Sequence, residues 1–311
     1  MTADKPLLSV VCITYNHEPF IAKMIEGVLM QQTNFPIEFI IAEDCSTDKT
    51  REIVSDYALR YPNLIKLIIS DYNVGAVANE RRAMLQANGE YIAFCEGDDY
   101  WTDPYKLQKQ VDFLETHLDY SVCFHRCKHH DVETNQWEDD ECGYLFSKND
   151  EKQGVDISTE MFLNNWVTQP LTMVYRKTAF DLNIALRYKY YRDMHLIYHL
   201  LQAGKGYLFA FIGGVRLIHN GGMHSKTSLQ QQCEISIEVS KEMYLNNKND
   251  SILKNYYLRS LDWSIYTFIN YRFNARKSMI YIYEYLYHSG SFKKFAKNLI
   301  LYANPKFKQS K

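Results

Sequence analysis

The chain has 311 residues, of which 46% are hydrophobic and 23% are charged, and its formal net charge is -2 at pH 7. This is the composition of a globular protein that can bury a substantial core, as one large domain or as a domain with an appendage. A charge so near zero gives no reason to expect a nucleic-acid partner. Because neither a signal-like N-terminus nor an apolar stretch long enough to cross a bilayer occurs, we expect the chain to stay in the cytoplasm.

The early part of the chain alternates between the short apolar runs of buried strands and the wider spacing of amphipathic helices. Strands are predicted at 8–13, 37–42, 64–69 and 91–95, with helices at 18–31, 47–60 and 78–87 between them. Such alternation is typical of right-handed crossovers between parallel strands. We therefore predict an α/β fold, a Rossmann-like doubly wound and mostly parallel sheet with helices on both faces.

Beyond residue 120 the pattern is looser. Strands are predicted at 121–128, 168–175 and 207–212 and a helix at 194–201, while the acidic segment 131–160 is expected to be a mobile, solvated loop. From residue 226 the chain changes to helices rich in Tyr, Leu, Ile and Lys. We therefore predict two parts, an α/β domain over 1–225 and a C-terminal helical region over 226–311.

Residues 272–311 hold nine Lys or Arg and one acidic residue, interleaved with aromatic side chains. A basic amphipathic helix with Tyr and Phe can lie on an anionic membrane surface, where each basic residue contributes about 1 kcal/mol. A solvated helix face would have the same composition. The sequence leaves these two interpretations open.

The chain has seven cysteines, an odd number, and several of them fall in predicted strands. There they would act as small buried apolar residues, which is consistent with a reducing compartment. Segment 123–130 brings Cys and His close together, as a zinc site requires. No second ligand pair follows at a suitable spacing, and the alternation is typical of a strand. We therefore expect an ordinary strand there.

Acidic or polar side chains stand at the carboxyl ends of three predicted strands, where α/β proteins bind ligands. Asp98 and Asp99 follow one strand, Asp44 follows another, and Tyr15 follows the first. Carboxylates in this position can hold a divalent cation that bridges diphosphate oxygens, and we predict this role for Asp99. Asp98 is expected to bind ribose hydroxyls and Asp44 the imide N–H of uracil, while Tyr15 stacks on the base.

Four segments resemble, in order and spacing, the motifs of the family 2 nucleotide-sugar glycosyltransferases with the A-type (GT-A) fold. They are the segments 9–16, 42–50, 89–92 and 96–99. The resemblance covers residues 7–225 and implies an inverting, metal-dependent transfer of a sugar from a nucleotide-diphosphate donor, expected to be a UDP-sugar, to a saccharide hydroxyl. Bacterial members commonly build capsule, O-antigen and other surface polysaccharides at the cytoplasmic face of the membrane, so a lipid-linked saccharide is an expected acceptor.

The resemblance also implies roles for single residues. Nucleotide-sugar contacts are implied for Thr14, Tyr15, Asn16 and Asp44, a ribose or metal contact for Asp98, and binding of Mn²⁺ or Mg²⁺ for Asp99. Glu43 and Glu96 stand where the family usually has aspartate. Arg81, on the helix before the strand at 91–95, would reach the diphosphate or lie on a solvated helix face.

The family's catalytic base is an acidic residue that begins a helix on the acceptor side, and Asp193 is the matching position. It would remove the proton of the acceptor hydroxyl, or it would only stabilise the helix N-terminus. His219, which precedes a flexible glycine pair, would reach the metal or the diphosphate, although a lone histidine is as often structural. We predict three acceptor contacts, Trp101, Trp166 and Gln169, because an aromatic ring packs on a pyranose and a side-chain amide forms hydrogen bonds with hydroxyls. Trp101 would serve equally as a core residue.

Other functions fit part of the pattern. A nucleotidyltransferase also uses strand-end aspartates and a metal, but it normally has a glycine- and basic-rich loop where this chain has Tyr15-Asn16-His17-Glu18. A non-catalytic nucleotide-sugar-binding module would keep the fold without turnover. A dehydrogenase is disfavoured because no Gly-x-Gly-x-x-Gly turn follows the first strand.

Overall fold

A computed structural model of the chain describes residues 5–146, 153–165, 168–222, 227–271 and 275–303. The chain divides into two compact units. One unit contains the residues up to Arg187 together with Arg192–His219, and the other contains Tyr188–Tyr191 and the residues from Asn220 onward.

The first unit begins with a regular alternation of strands and helices. Its elements are β1 (Leu8–Thr14), α1 (Ile21–Leu29), β2 (Ile37–Glu43), α2 (Thr50–Arg60), β3 (Ile65–Ile69), α3 (Ala76–Met84) and β4 (Tyr91–Phe94). The strands are parallel and lie in the order β3-β2-β1-β4. Every strand and helix predicted for this half is present, so the predicted alternation is confirmed.

The rest of the first unit extends the same sheet. It adds β5 (Tyr100–Trp101), α4 (Lys106–Thr116), β6 (Tyr120–Asp131), β7 (Gln136–Asp139), β8 (Gly154–Ile157), α5 (Thr159–Asn165), β9 (Val174–Arg176), α6 (Asp193–Ala203) and β10 (Lys205–Ile218). The order continues β4-β9-β6-β10-β5, and β9 is antiparallel to both β4 and β6. Two reversals restore the first direction, so β6 and its parallel neighbour β10 run in the same sense as β1 and β4. The carboxyl ends of the parallel strands β1, β2, β3, β4, β6 and β10 therefore meet at one edge.

Two predictions for this second half are wrong in detail. The loop expected at 131–160 instead contains β7, β8 and α5 in its described residues. β7 is an outer strand, exposed along its whole length, so its polar side chains need no apolar partner. The strand expected at 168–175 is reduced to β9, because a 3-10 turn occupies Pro170–Thr172 and a proline lacks the N–H that a sheet ladder needs.

Helices cover both faces of the sheet, as predicted. Leu8, Val10 and Cys12 alternate along β1 and pack in one buried cluster with residues of α1, α2 and α4. Helix α3 contributes nothing to that cluster but contacts β1 and β2, and Asn79 donates a side-chain hydrogen bond to the backbone oxygen of Ala42 at 2.7 Å. Each Leu or Val buried in this way contributes about 1.5–3 kcal/mol.

The second unit is helical, as the composition predicts. Its helices are α7 (Leu229–Asn246), α8 (Ser251–Tyr271), α9 (Ala275–Ser289) and α10 (Phe292–Ala303). Ile237, Leu261, Tyr285 and Phe295 belong to its buried core. Within the residues that the structure describes, no helix combines the length and the apolar character that crossing a membrane requires.

Candidate functional site

The loop after β4 carries three carboxylates that lie close together. Glu96, Asp98 and Asp99 each place one carboxylate oxygen within 4.8 Å of the others. Among the described residues, no other group of three or more Asp, Glu, His or Cys side chains converges in this way. The Cys and His side chains of 123–130 lie in β6, so the strand expected there is present.

Asp99 is held by the end of β10. The backbone N–H of Leu217 donates a hydrogen bond to Oδ1 of Asp99 at 2.9 Å, and the Asp99 side chain is buried. Burial and the negative charge of Asp98 raise the pKa of Asp99 well above its ordinary value, against the opposing effects of this bond and of Arg216. A bound cation would stabilise the ionised form of such a carboxylate.

Two histidines flank Asp98. His219 Nε2 lies 3.1 Å from Oδ2 of Asp98, and His17 Nε2 lies 3.7 Å from the same oxygen. Burial alone would raise the pKa of Asp98, but the hydrogen bond with His219 and the nearby His17 outweigh burial, and the pKa is lowered. The structure thus brings His219 to the aspartates, while its role as a metal ligand stays a prediction.

His17 is a site residue that the sequence pattern does not reveal. Its Nδ1 lies 3.2 Å from Oγ1 of Thr14, and its backbone N–H donates to Oγ1 of Thr50 at 2.8 Å. Gly97 passes directly against it, since a Cβ at Gly97 would lie 2.6 Å from His17 Nδ1 and 2.6 Å from Thr14 Oγ1. A glycine is therefore required at this turn, and the carboxylate loop and the end of β1 fix each other's position.

Asp193 influences the carboxylates electrostatically from a different element. It is the first residue of α6, and the backbone N–H of Met194 donates to its Oδ1 at 2.9 Å. Burial and the charge of Asp193 raise the pKa of Glu80 to about 8. Burial, Asp98, Asp99 and Asp193 likewise raise the pKa of Glu96 well above its ordinary value. Because such effects require proximity, Asp193 and Glu80 belong to the same acidic site, and Glu80 is a second residue that was not predicted.

The acidic pair at the end of β2 makes structural contacts. Oδ1 of Asp44 accepts a hydrogen bond from the backbone N–H of Val74 at 2.8 Å, and Oδ2 accepts one from Gly75 at 2.9 Å. Glu43 is buried and pairs with Arg51 at 2.6 Å. Glu43 is therefore a structural partner of Arg51, whereas the predicted contact of Asp44 with the nucleotide base stays a prediction.

The residues after β1 lie at the same edge of the sheet. Thr14 is buried, and Tyr15 is 40% exposed, so its ring is accessible to a ligand. Asn16 connects this loop to the one after β2: its N–H donates to Ser46 Oγ at 3.0 Å and its Oδ1 accepts from the N–H of Thr47 at 2.8 Å. The predicted nucleotide-sugar contacts of these three residues stay predictions.

The remaining predicted polar contacts have mixed placements. Arg81 donates a hydrogen bond through Nη1 to the backbone oxygen of Leu182 at 3.2 Å, so it is not merely a solvated charge. Its reach to a diphosphate stays a prediction. Gln169 is buried beside the 3-10 turn, and Trp166 lies outside the described residues.

Trp101 requires a correction. Only 2% of its surface is exposed, its Nε1 donates to the backbone oxygen of Leu171 at 2.8 Å, and the Nζ of Lys106 lies 3.8 Å from its ring centroid. Both the polar edge of the indole and its surroundings are thus occupied by protein. Of the two roles considered for Trp101, the structure supports the core residue and not the acceptor contact.

The residues present suit a divalent cation. Burial raises the pKa values of Asp99 and Glu96, and the repulsion among three carboxylates so close together raises them further. Hard cations such as Mg²⁺ prefer oxygen ligands, and a site of carboxylates with an imidazole, here that of His219, also suits Mn²⁺. The donor set thus fits either metal.

The sheet order and the acidic edge define a GT-A type glycosyltransferase fold. Residues 9–182, more than half of the chain, match the sequence model described as Glycosyl transferase family 2. The chain therefore belongs to glycosyl transferase family 2.

Relatives in sequence match over part of their length. The chain is 50% identical over 118 residues to the uncharacterized protein Rv1520 of Mycobacterium tuberculosis, which is 38% of this chain and 34% of that protein. It is 38% identical over 114 residues to the putative teichuronic acid biosynthesis glycosyltransferase TuaG of Bacillus subtilis, 37% of this chain and 44% of TuaG. The chain thus spans less than half the length of these curated relatives.

Solved structures share the fold. TarS 1-349 of S. aureus in complex with UDP-GlcNAc has a TM-score of 0.64 at 19% identity, and the match covers 90% of this chain and 81% of that one. The mannosyltransferase PcManGT of Pyrobaculum calidifontis in complex with GDP-Man and Mn2+ has a TM-score of 0.55 at 13% identity, over 99% of this chain and 83% of that one. At these identities the likeness establishes the fold alone.

Proposed function

We propose that this chain transfers a sugar from a nucleotide-diphosphate donor to a hydroxyl group of a saccharide acceptor, with inversion at the anomeric carbon. One observation carries the proposal: the charge of Asp193, the first residue of α6, acts on Glu96, whose carboxylate lies within 4.8 Å of those of Asp98 and Asp99 in the loop after β4. A group that can accept a proton thus stands beside a cluster that can hold a cation. Transfer from a diphosphate leaving group needs both.

The donor would bind at the carboxyl ends of β1, β2 and β4. Tyr15 offers an accessible ring for the base, and Asp44 and Asp98 offer acceptors for the base and the ribose. TarS and PcManGT bind UDP-GlcNAc and GDP-Man, respectively, on the same fold. We infer a UDP-sugar as the donor, because a carboxylate such as Asp44 suits the imide N–H of uracil.

Asp98, Asp99 and His219 would hold Mn²⁺ or Mg²⁺. When bound, such a cation neutralises the charge that develops on the leaving nucleotide diphosphate. Leu217 keeps Asp99 in place through its backbone N–H, and His17 Nε2 lies 3.7 Å from Oδ2 of Asp98. The protein's part is thus to present the ligands in a fixed arrangement.

Asp193 would act as the general base. In an inverting reaction the acceptor hydroxyl loses its proton while its oxygen attacks the anomeric carbon opposite the leaving group. The hydrogen bond from the Met194 N–H orients the Asp193 carboxylate.

A lipid-linked acceptor at the inner face of the cell membrane is the setting that we infer. An exposed stripe on α9 supports it, since large side chains recur at helical spacing on the face opposite buried Tyr285. Its members are Met279 (65% exposed), Ile280 (49%), Tyr283 (68%) and Tyr287 (72%), with Arg276 at one end. Exposed aromatics beside basic residues are typical of helices that lie on an anionic membrane. The teichuronic acid named for TuaG is consistent with a role in surface polysaccharide synthesis.

The test is a binding and hydrolysis screen. UDP-, GDP-, CMP- and dTDP-sugars are compared by thermal shift with Mn²⁺, with Mg²⁺ and with EDTA, and hydrolysis of each donor is followed by nucleotide release. We expect metal-dependent stabilisation by one nucleotide class, which Asp99→Asn abolishes and Asp112→Asn, at an exposed site on α4, preserves. Pyrophosphate release from a nucleoside triphosphate and a sugar phosphate would instead identify a nucleotidyltransferase, and no response to any donor would refute the proposal.

A further inference from the structure

The hairpin of β6 and β7 presents an exposed, fixed aromatic surface. Trp137, in β7, is 51% exposed although it is one of the largest side chains of the protein. One face of its indole stacks on the ring of His130, with centroids 4.0 Å apart and planes inclined by 9°. His130 Nε2 is in turn 3.0 Å from Oδ1 of Asn135 in the hairpin turn. The indole is therefore held in one orientation, and half of its surface is exposed.

The sheet register connects this surface to the acidic site. Trp137 pairs with His130, and His130 pairs with Leu217, whose N–H holds Asp99. Since neighbouring strands lie about 4.8 Å apart, two strand spacings, or about 10 Å, separate the backbones of Trp137 and Leu217. The N–H of Val132 also donates to the oxygen of Ile218 at 2.9 Å. The hairpin is thus fixed to the strand that leads to His219.

The charge around Trp137 selects the kind of ligand. Residues 131–141 contain six acidic residues and no Lys or Arg; of the six, Asp140 is buried in an ion pair with Arg126, and Asp139 lies opposite Lys128 in the hairpin, so the surface stays negative overall. Phosphate-bearing ligands and anionic lipids are repelled by such a surface. A neutral pyranose is suited to it, because sugar C–H groups pack on an aromatic face while a carboxylate such as that of Asp139, exposed two residues along the same face of the strand, accepts hydrogen bonds from hydroxyls.

We propose that Trp137 stacks on a pyranose ring of the saccharide acceptor, at a position about one sugar unit or more from the reacting hydroxyl. This inference rests on the proposed transfer to a saccharide. It assigns to Trp137 the aromatic acceptor contact that Trp101, in the core, cannot supply. Stacking orients an acceptor without touching the donor, so Trp137 would determine acceptor specificity and leave donor binding unchanged.

The first test observes Trp137 directly. The four tryptophans are replaced by 5-fluorotryptophan, and the Trp137→Phe variant assigns the Trp137 signal in the fluorine NMR spectrum. Methyl glycosides of glucose, galactose, mannose, N-acetylglucosamine and N-acetylgalactosamine are then titrated. We expect at least one to shift the Trp137 signal, while that of Trp263, a 38% exposed tryptophan of α8, stays in place. If no glycoside moves the Trp137 signal, or if both signals move alike, the inference is overturned.

The second test separates this inference from the proposed function. With the donor found in the screen, Trp137→Ala is compared with Trp137→Phe for donor hydrolysis and for transfer to an oligosaccharide acceptor. We expect both variants to hydrolyse and bind the donor as the native chain does. The acceptor KM should rise about tenfold or more in Trp137→Ala, and Trp137→Phe should remove most of that increase. An unchanged acceptor KM in Trp137→Ala would reject the stacking role even if transferase activity is found. If the native chain binds no donor, the proposed function is rejected, whatever the NMR titration gives.

Discussion

The backbone N–H of Leu217 donates a hydrogen bond to Oδ1 of Asp99 at 2.9 Å. Two residues later His219 reaches Oδ2 of Asp98 at 3.1 Å. The end of β10 therefore contacts both aspartates of the carboxylate loop, although the loop and β10 are far apart in the sequence. Any ligand that binds these aspartates therefore lies beside the end of β10.

The role of Asp193 gives the first prediction. Asp193→Asn keeps the size and the helix N-terminal position but removes the group that would take the acceptor proton. We expect turnover to fall by about 100-fold or more while the affinity for the nucleotide-sugar donor changes little. Steady-state transfer rates and isothermal titration with the donor measure the two quantities.

Asp112→Asn is the matched control for this prediction, because Asp112 is exposed on α4. If Asp193→Asn turns over as fast as the native chain, a group other than Asp193 is the base. Absence of turnover in both, with donor binding intact, would identify a nucleotide-sugar-binding module.

His17 gives the second prediction. It lies 3.7 Å from Oδ2 of Asp98 and contacts Thr14, so it positions the carboxylate loop. Removing a residue that orients a metal ligand typically weakens metal affinity about 10- to 100-fold. We therefore expect His17→Ala to raise the Mn²⁺ concentration needed for donor binding by about tenfold. Titration of Mn²⁺ at fixed donor concentration measures this, and His117→Ala, at an exposed position, should behave as the native chain. The same Mn²⁺ dependence in His17→Ala and the native chain would show that Asp98 needs no such support.

The carboxylate edge could be predicted because its signal is local. A buried run that ends in Asp98 and Asp99 indicates both the strand and the carboxylates at its end, and the order of the four motifs predicts the other site residues. His17 and Glu80 could not be found in this way. They reach the site only through folding, from the turn after β1 and from α3, and an isolated His or Glu in a polar segment has no distinctive pattern.

The second half of the sheet was harder to predict from the sequence, again because its signals are not local. β9 has too few residues to show a period, and its antiparallel insertion between β4 and β6 depends on pairing between distant segments. Trp101 illustrates the limit at a single residue. It follows the acidic motif directly, as a ligand contact would, yet Leu171, from a distant segment, accepts its indole hydrogen bond in the core.

Lys106 gives the third prediction. It is fully buried, its Nζ has no hydrogen-bond partner, and the Trp101 ring at 3.8 Å offers only a cation–π contact. Burial lowers the pKa of Lys106 from its ordinary 10.5 to about 7. The unfolded chain therefore binds more protons than the folded chain between these two pH values, so the contribution of Lys106 makes stability rise with pH across that window, and below it the contribution no longer changes with pH.

We expect Lys106→Met to stabilise the chain near pH 7 by a few kcal/mol, since each pKa unit corresponds to about 1.4 kcal/mol. The gain should shrink as the pH approaches 10.5, where the amine is neutral in both states. Urea unfolding across this range measures it, with Lys66→Met, at an exposed position of β3, as the control. A gain that does not vary with pH would show that packing, not charge, is the cause.

The exposed stripe of α9 gives the last prediction. Tyr283 and Tyr287 are 68% and 72% exposed and stack on each other with centroids 6.3 Å apart. If they lie in a membrane interface, replacing both by serine removes most of the apolar contact area while leaving the basic residues in place. We expect the double variant to lose binding to vesicles that contain anionic lipid, measured by flotation. Tyr72→Ser, which changes a tyrosine that is 70% exposed in the other unit, should float as the native chain does. Binding that persists in the Tyr283/Tyr287 variant but disappears at high salt would mean that the basic residues alone hold the chain to the lipid, and no flotation of the native chain would exclude the membrane setting.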